Sequence, residues 1–262
     1  MFINRYIGGK NIFAVKKLKI PYGKIYDYVK ESNSKEHIIN HKLNLLALKE
    51  TKSSIHAIKL TSLYNPNLKR YLHEYYNLAK QNKNKKLIDA ENVKNQEMIN
   101  DYTDYCIETF DSNIFYKTYQ MYRNDSYDLL KKDLDLFFKN KKNLGIKLVR
   151  GAYYQEDKHT GLLFQQKGDT DINYNNAIHL LSNYNNDVII ATHNTISCKI
   201  ALKYEKQFKY AQLLGMNNTL SDYLLNLDQD VYKYIPYGNW VDSIPYLTRR
   251  IYENYDVLKY II

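Results

Sequence analysis

Eight times along this chain a short run of β-branched and aromatic residues gives way to a stretch of helix length. The strand-like runs fall at 24–29, 55–60, 86–89, 114–121, 145–149, 187–192, 210–213 and 231–236. Helical spacing marks 34–48, 67–81, 97–108, 127–139, 173–184, 196–208 and 220–227, and an eighth helix is expected where Asp242 or Ser243 can cap it and Pro245 suits its first turn. This alternation constrains the fold more than any other feature, because neighbouring parallel strands cannot be joined by a tight turn and need a crossover, usually a helix. Eight such pairs in about 250 residues match an α/β fold of one kind, the single closed (β/α)8 barrel. A doubly wound open sheet is the rival. No GxGxxG follows the first strand, however, so the usual dinucleotide fingerprint of that rival is missing. The expected organisation is a basic N-terminal segment over 1–23 followed by one barrel over 24–262.

A chain of 262 residues can bury one core of that size, and 44% hydrophobic content places it among globular rather than disordered chains. The formal charge of +10 suits a nucleic acid, an anionic membrane surface or an acidic small molecule. The lysines are dispersed, and the short basic runs at 82–86 and 139–142 read as solvated turns. Without an aromatic-basic recognition motif, nucleic acid is not an expected partner. Cys106 and Cys198 form no CxxC and no ligand grouping with the seven histidines, which argues against a disulfide scaffold or a metal site and fits a reducing compartment. No apolar run reaches the length of a membrane span, and no hydrophobic signal core stands at the N-terminus. Residues 1–26 carry six basic side chains and no acid, in the manner of a mitochondrial transit peptide, yet they are poor in serine and lead straight into the first strand.

In a barrel of this kind functional groups sit at the C-terminal strand ends. Those ends carry Lys59, Asp89, Gln120, Lys147 with Arg150, His193 with Asn194, Gln212 and Tyr234. Singly, each has a plain explanation: Asp89 can cap the next helix, Lys59 can meet solvent where a strand stops, and His193 can be a satisfied structural histidine. Their recurrence on nearly every strand is harder to dismiss. In GIKLVRGAYY, 145–154, Gly151 and Ala152 let a ligand approach the backbone while Lys147 and Arg150 bring positive charge. A phosphate-bearing cofactor suits that stretch, and so does an ordinary glycine-containing turn. The last helix sets Tyr246, Arg249, Arg250 and Glu253 at i, i+3, i+4 and i+7, a face able to clamp a carboxylate. Ile244, Leu247, Ile251, Tyr255 and Leu258 form an apolar stripe roughly opposite, so periodicity alone favours an amphipathic helix with its charges in water.

YDYVKES (26–32), AIKLTSL (57–63), IDAEN (88–92), TYQMY (118–122), KLVRGAY (147–153), TDINY (170–174), ATHN (191–194), QLLGM (212–216), YKYIPYG (232–238) and PYLTRRIYEN (245–254) together resemble, in content and in order, the proline dehydrogenase family of flavin-dependent (β/α)8 enzymes. Each motif is weak and the ordered set is specific; it extends over nearly the whole chain after about residue 20. The resemblance implies FAD lying against the strand ends without a Rossmann domain, and a last helix placed across the barrel mouth with its arginine face inward. It implies that Arg249, Arg250 and Lys59 hold the proline carboxylate, that Tyr234 and Tyr246 pack on the pyrrolidine ring with Leu214 nearby, and that Asp89 organises the site by hydrogen bonding. Gln120, Lys147, Val149, Gly151, Ala152, Tyr153, Thr170, His193, Asn194, Gln212 and Glu253 match positions that touch the cofactor, and Glu31 matches an acid that pairs with a substrate-binding arginine.

The implied reaction is oxidation of L-proline to 1-pyrroline-5-carboxylate, by hydride transfer to the flavin with electrons passed to a quinone. A mitochondrial setting or peripheral contact with a quinone-containing membrane belongs to the same resemblance. Crowding of Lys59, Lys147, Arg249 and Arg250 is expected to lower the pKa of the substrate amine by like-charge repulsion, with the bound carboxylate offsetting part of it, so no base is assigned. Lys147 stands where bacterial members usually have arginine, as in mitochondrial-type sequences. Gln165 and Gln166 stand where many bacterial members carry Thr-Lys toward the cofactor's phosphates, which puts those two contacts in doubt. Tyr234, rather than a smaller residue, favours proline over hydroxyproline. The alternatives are a related flavin barrel acting on hydroxyproline or another cyclic amino acid, and a noncatalytic binder of anions or nucleic acid.

Overall fold

The computed structural model describes residues 5–31, 34–110 and 113–253, with the side chains of 34, 240 and 249–253 outside that description. Strands β1 (Gly23–Tyr28), β2 (Ile55–Ile58), β3 (Lys85–Ile88), β4 (Phe115–Gln120), β5 (Gly145–Val149), β6 (Val188–Ala191), β7 (Lys209–Leu213) and β8 (Asp230–Tyr237) pair in sequence order. All ladders are parallel, and β8 closes on β1 with Tyr234 opposite Ile25. Every expected strand is present, with its ends displaced by no more than two residues.

Around the strands run α2 (His37–Glu50), α3 (Leu68–Gln81), α4 (Val93–Thr109), α5 (Ser126–Lys139), α6 (Tyr154–Asp157), α7 (Lys167–Ser182), α8 (Thr195–Ala201) and α9 (Asn218–Asn226). Two of these helices differ most from expectation. α7 begins at Lys167 rather than 173, because Asp169 and Asp171 in its polar start meet the positive end of the helix dipole and Asp171 is held by Lys167 and Arg150 at 2.7 Å each. α8 ends at Ala201 rather than 208; beyond it the Lys206 ammonium donates to the carbonyls of Tyr184 and Asn186, which draws the chain away from the helix axis. No helix among the described residues is long and apolar enough to cross a membrane.

The N-terminal segment, basic in composition, is built into the barrel. Ile12 and Val15 of α1 (Ile12–Lys16), capped by Asn11, pack on the outer faces of β8 and β1 with Tyr26, Ile235 and Tyr237. Gly8 N–H donates to Pro236 O at 2.8 Å and Gly238 N–H donates to Gly9 O at 3.1 Å. Tyr6 and Ile7 then reach the mouth and pack with Val29, Met216, Tyr246 and Leu247. The last two belong to α10 (Trp240–Glu253), which contributes to the apolar cluster at the mouth rather than to the outer cluster beside β8.

α10 starts two residues before the expected cap. Asp242 lies in its first turn and receives Lys30 at 3.0 Å, while Ser243 is buried and Pro245 falls inside the helix. Pro245 has no N–H for the carbonyl four residues back, but that residue, Val241, is exposed, so water can serve it. The expected apolar stripe is also corrected. Ile244 is exposed, and the buried face holds Ser243, Tyr246 and Leu247; Tyr255 and Leu258 lie outside the described residues, as does the side chain of Ile251.

Candidate active site

Side chains alternate inward and outward along each strand, so residues two apart share the barrel interior. Lys85, Tyr116, Asp187 and Lys209 form the floor at the N-terminal strand ends. Ile25, Ala57, Leu87, Ile189 and Ala211 form an apolar middle tier. One step further, Asp27 follows Ile25, Lys59 follows Ala57 and Asp89 follows Leu87, and the side chains of Lys147 and Tyr234 reach Asp89 from β5 and β8. The charged tier at the mouth is thus the interior register of the strands carried two residues past the core.

Lys59 is 2% exposed. Its ammonium donates to Asp27, lies 3.5 Å from Asp89 and 4.0 Å from Glu31, and sits 5.5 Å from the centre of the Tyr246 ring. Lys147 donates to Asp89 Oδ1 at 2.7 Å and lies 4.6 Å from the Tyr234 ring centre, while the Tyr234 hydroxyl donates to Asp89 Oδ2. Burial works against the charge on Lys59, but Asp27, Asp89 and Glu31 outweigh it and hold its pKa well above the ordinary lysine value. Asp89 is likewise opposed by burial, yet Lys147 and Lys59 bring it down to about 2. Burial pushes Asp27 up and Lys147 down. Among the described side chains two ammonium groups face three carboxylates; Arg249 and Arg250, the other two cations of the expected crowd, have side chains outside the described residues.

Above this tier opens a cavity of about 140 Å³, room for a small molecule. Among the expected site residues, Asp89, Gln120, Lys147, Val149, Gly151, Ala152, His193, Gln212, Tyr234 and Tyr246 line it. Leu213 lines it in place of Leu214, which packs toward the outward cluster around Ile235 and Tyr237. Tyr153 and Thr170 are buried away from its wall, and the Asn194 side chain caps α8 by accepting from Ile196 N–H and Ser197 N–H. Gln165 and Gln166 are exposed in the segment entering α7. The side chains of Arg249, Arg250 and Glu253 lie outside the described residues, although their backbone continues α10 one to two turns past Tyr246.

The chemistry of the wall accepts a flavin. Gln120 Nε2 is spent on Glu91 O, leaving the buried Gln120 Oε1 without a partner among the described residues. His193 Nε2 accepts from Leu213 N–H at 3.4 Å, so the ring proton sits on Nδ1, which is also buried and unpartnered. Burial, with Lys233 and Arg150 nearby, lowers the His193 pKa to about 3 and keeps the imidazole neutral. One orphan acceptor and one orphan donor on the same wall match a heteroaromatic ring that presents both an N–H and carbonyl oxygens. Gly151, at φ +135°, is the residue that lets the backbone turn there, since a Cβ would fall 2.4 Å from the Tyr122 ring.

Asp27 was missed in the sequence because an acid inside a strand reads as solvent-facing. Its signal is its register: it lies two residues beyond Ile25, on the interior face. Arg150, expected to bring positive charge to this stretch, lines the cavity and is also bound into the fold. Its guanidinium donates to Asp171 at 2.7 Å, Thr192 at 2.5 Å and Ser197 at 2.9 Å, and stacks over Tyr174. One side chain thereby ties the stretches KLVRGAY, TDINY and ATHN together.

Fold and site define an α/β barrel with a charged, ligand-sized cavity at its C-terminal mouth. Comparison with known proteins gives the family: the proline dehydrogenase family profile matches residues 11–261, and the chain belongs to that family. Mitochondrial proline dehydrogenase 1 of Dictyostelium discoideum is 34% identical over 194 residues, covering 64% of this chain and 34% of that protein. A hydroxyproline dehydrogenase of Bos taurus is 31% identical over 165 residues, covering 55% of this chain and 36% of that one. Among solved structures, proline utilization A from Bdellovibrio bacteriovorus, inactivated by N-propargylglycine, superposes with a TM-score of 0.87 over 97% of this chain and 32% of its own, at 16% identity. The chain spans about a third of the length of the curated relatives it matches.

Proposed function

We propose that this chain binds FAD at the barrel mouth and oxidises L-proline to 1-pyrroline-5-carboxylate. The observation that carries the reading is the dry cluster of Lys59, Asp89, Lys147 and Tyr234 beneath the Tyr246 ring, opening on a wall whose orphan atoms suit a flavin. Lys59, with Arg249 and Arg250, holds the substrate carboxylate; a guanidinium presents two parallel donors to its two oxygens. Asp89 fixes the hydroxyl of Tyr234 and the ammonium of Lys147 at once, so the Tyr234 ring is a rigid surface for the pyrrolidine. Tyr246 roofs the cavity and excludes water. Bound FAD would supply the acceptor for the hydride leaving the carbon next to the ring nitrogen. Since Lys59 and Lys147 are matched by carboxylates, the positive charge that favours a neutral substrate amine comes from Arg249 and Arg250.

Gln120, Lys147, Val149, Gly151, Ala152, His193 and Gln212 are the proposed cofactor contacts on the cavity wall; Tyr153, Thr170, Asn194 and Glu253 join the proposal on the family likeness alone. A quinone is the proposed electron acceptor. The relatives named mitochondrial suggest that setting, with peripheral contact at a quinone-containing membrane. The expected result for purified protein is a yellow flavin spectrum that bleaches on anaerobic addition of proline; a protein that takes up no FAD sinks the reading. Arg249→Met is expected to weaken proline binding far more than it alters flavin content, and unchanged proline affinity would remove Arg249 from the clamp. The match to a hydroxyproline dehydrogenase keeps a second substrate in view. Competing proline against hydroxyproline with one dye acceptor separates them, with proline favoured because the Tyr234 hydroxyl occupies the space a ring hydroxyl needs.

A further inference from the structure

We propose that Lys233 is a positioning residue for the cofactor side of the mouth, acting through Ser221 to hold the amide of Gln212. The inference rests on the FAD reading above. Lys233 alternates with Tyr232 and Tyr234 on β8, so it points out of the barrel into the interface with α9, where it is 1% exposed. Its ammonium donates to Ser221 Oγ at 2.6 Å and Met216 O at 3.0 Å and lies 5.2 Å from the Tyr22 ring centre. No salt bridge reaches it among the described residues; Asp222 acts on it only at a distance, while the Tyr22 hydroxyl donates to Asp222. An ammonium buried in this way costs stability, and a methionine of similar length would pack there at no such cost.

What the charge provides is direction. An ammonium can only donate, so Ser221 Oγ accepts from it and turns its own hydrogen to Gln212 Oε1 at 2.9 Å. At the other end of the amide, Gln212 Nε2 donates to Thr192 O at 3.2 Å, and a carbonyl can only accept. Both ends enforce one orientation, which leaves the second Nε2 hydrogen at the cavity wall that Gln212 lines. Without the ammonium, the Ser221 hydrogen has another acceptor in Asn217 O at 3.3 Å, and the amide loses its charge-assisted anchor. The same cation contributes, after burial, to keeping His193 neutral. One charge outside the barrel thus settles the donor that Gln212 presents inside it, Nε2. Burial lowers the Lys233 pKa only to about 8, so at neutral pH the group still carries its proton.

The test uses the full chain with FAD as probe and reads two quantities besides turnover: the dissociation constant of FAD from the stripped protein, and the midpoint potential of the bound flavin. Lys233→Met and Ser221→Ala are each expected to raise the dissociation constant roughly tenfold, the loss of one charge-assisted hydrogen bond. Lys233→Met is also expected to lower the potential, because reduced flavin is the more electron-rich form and loses a nearby positive charge. Adding Lys233→Met to Gln212→Met is expected to bring no further loss of FAD affinity, since both act through one amide. Should Lys233→Met fail to fold, Ser221→Ala keeps the buried charge and carries the same affinity reading. FAD affinity and potential indistinguishable from wild type, or effects of Lys233→Met and Gln212→Met that multiply, would overturn the relay. A wild-type chain that takes up no FAD overturns the functional reading as well, whereas normal FAD uptake with silent variants overturns the relay alone.

Discussion

The two ends of the barrel interior carry similar residues and do different things. At the floor, the Asp187 carboxylate accepts from Lys85 at 2.5 Å, from Lys209 at 2.6 Å and from the Tyr116 hydroxyl. At the mouth, Lys59 and Lys147 meet Asp27, Asp89 and Glu31. The charged side chains of the floor are 20–33% exposed, so water completes what the ion pairs leave over; Tyr116 is buried, and none of the four leaves a buried polar atom without a partner among the described residues. The mouth cluster is no more than 8% exposed, yet Asp27 Oδ2 there, and Gln120 Oε1 and His193 Nδ1 on the wall above it, lack partners among the described residues. Unsatisfied buried groups are costly and are retained where something else completes them. Charge inside a barrel therefore says little about function until its leftover hydrogen-bonding capacity is counted.

The comparison breaks most visibly if matched lysines are removed from the two ends. Lys59→Met takes away the proposed donor to the substrate carboxylate and leaves Asp27 buried without its cation, so kcat/KM for proline is expected to fall by about a hundredfold or more, with FAD still bound. Lys209→Met at the floor is expected to leave kcat/KM and flavin content as they are. Steady-state kinetics on both variants decides the matter; equal losses would mean that the two clusters are not divided into binding and structure.

Removing the floor carboxylate should have the opposite profile. Asp187→Ala brings Lys85 and Lys209 together without their shared acceptor, and a loss of roughly 1–3 kcal/mol in unfolding free energy is expected with proline kinetics unchanged. Burial opposes ionisation of Asp187, but hydrogen bonds from Lys209, Lys85 and Tyr116 outweigh it and lower its pKa from 3.8 to about 2. A depressed carboxylate pKa contributes stability that is present above 3.8 and lost as the pH falls through about 2. The stability gap between wild type and Asp187→Ala is accordingly expected to close at the acid end of a series of urea melts, and a gap that persists there would show that Asp187 acts through packing rather than charge.

The same contrast explains what could be read from the sequence. The strands were legible because alternation and β-branched content act over a few neighbouring residues, and the strand-end rule then led to Lys59, Asp89, Gln120, Lys147 and Tyr234. Asp27 was not, since only closure of β1 on its neighbours turns that position inward. Tyr6, Ile7, Ile12 and Val15 were hidden by the lysines around them, although they join the barrel's outer face to its mouth. The role of Arg150 depends on partners 21, 42 and 47 residues away, which no local pattern carries. In α7 and α8 the helix ends were misjudged where ion pairs and backbone acceptors from other segments decide them.

A third site, outside the barrel, sharpens the comparison with the smallest effect. Lys86 points from β3 toward α2 and α3 and is fully buried; its nearest acceptor is Asn44 Oδ1 at 3.4 Å and the Tyr75 ring centre lies 4.9 Å away. No carboxylate pairs with it among the described residues, and burial lowers its pKa from 10.5 to about 7. Because the folded value lies below the unfolded one, the unfolded chain binds the extra proton, and stability falls as the pH drops from 10.5 through about 7. Lys86→Met keeps the length of the side chain and removes the charge, so a gain of about 1 kcal/mol is expected near pH 6, fading as the pH approaches 10. Unlike the orphan atoms at the mouth, Lys86 borders no part of the ligand-sized cavity, so the variant should leave proline kinetics and FAD affinity unchanged. A loss of stability in Lys86→Met at pH 6 would mean that the ammonium is better solvated than its neighbours suggest, and that buried charge outside the mouth is also held for a purpose.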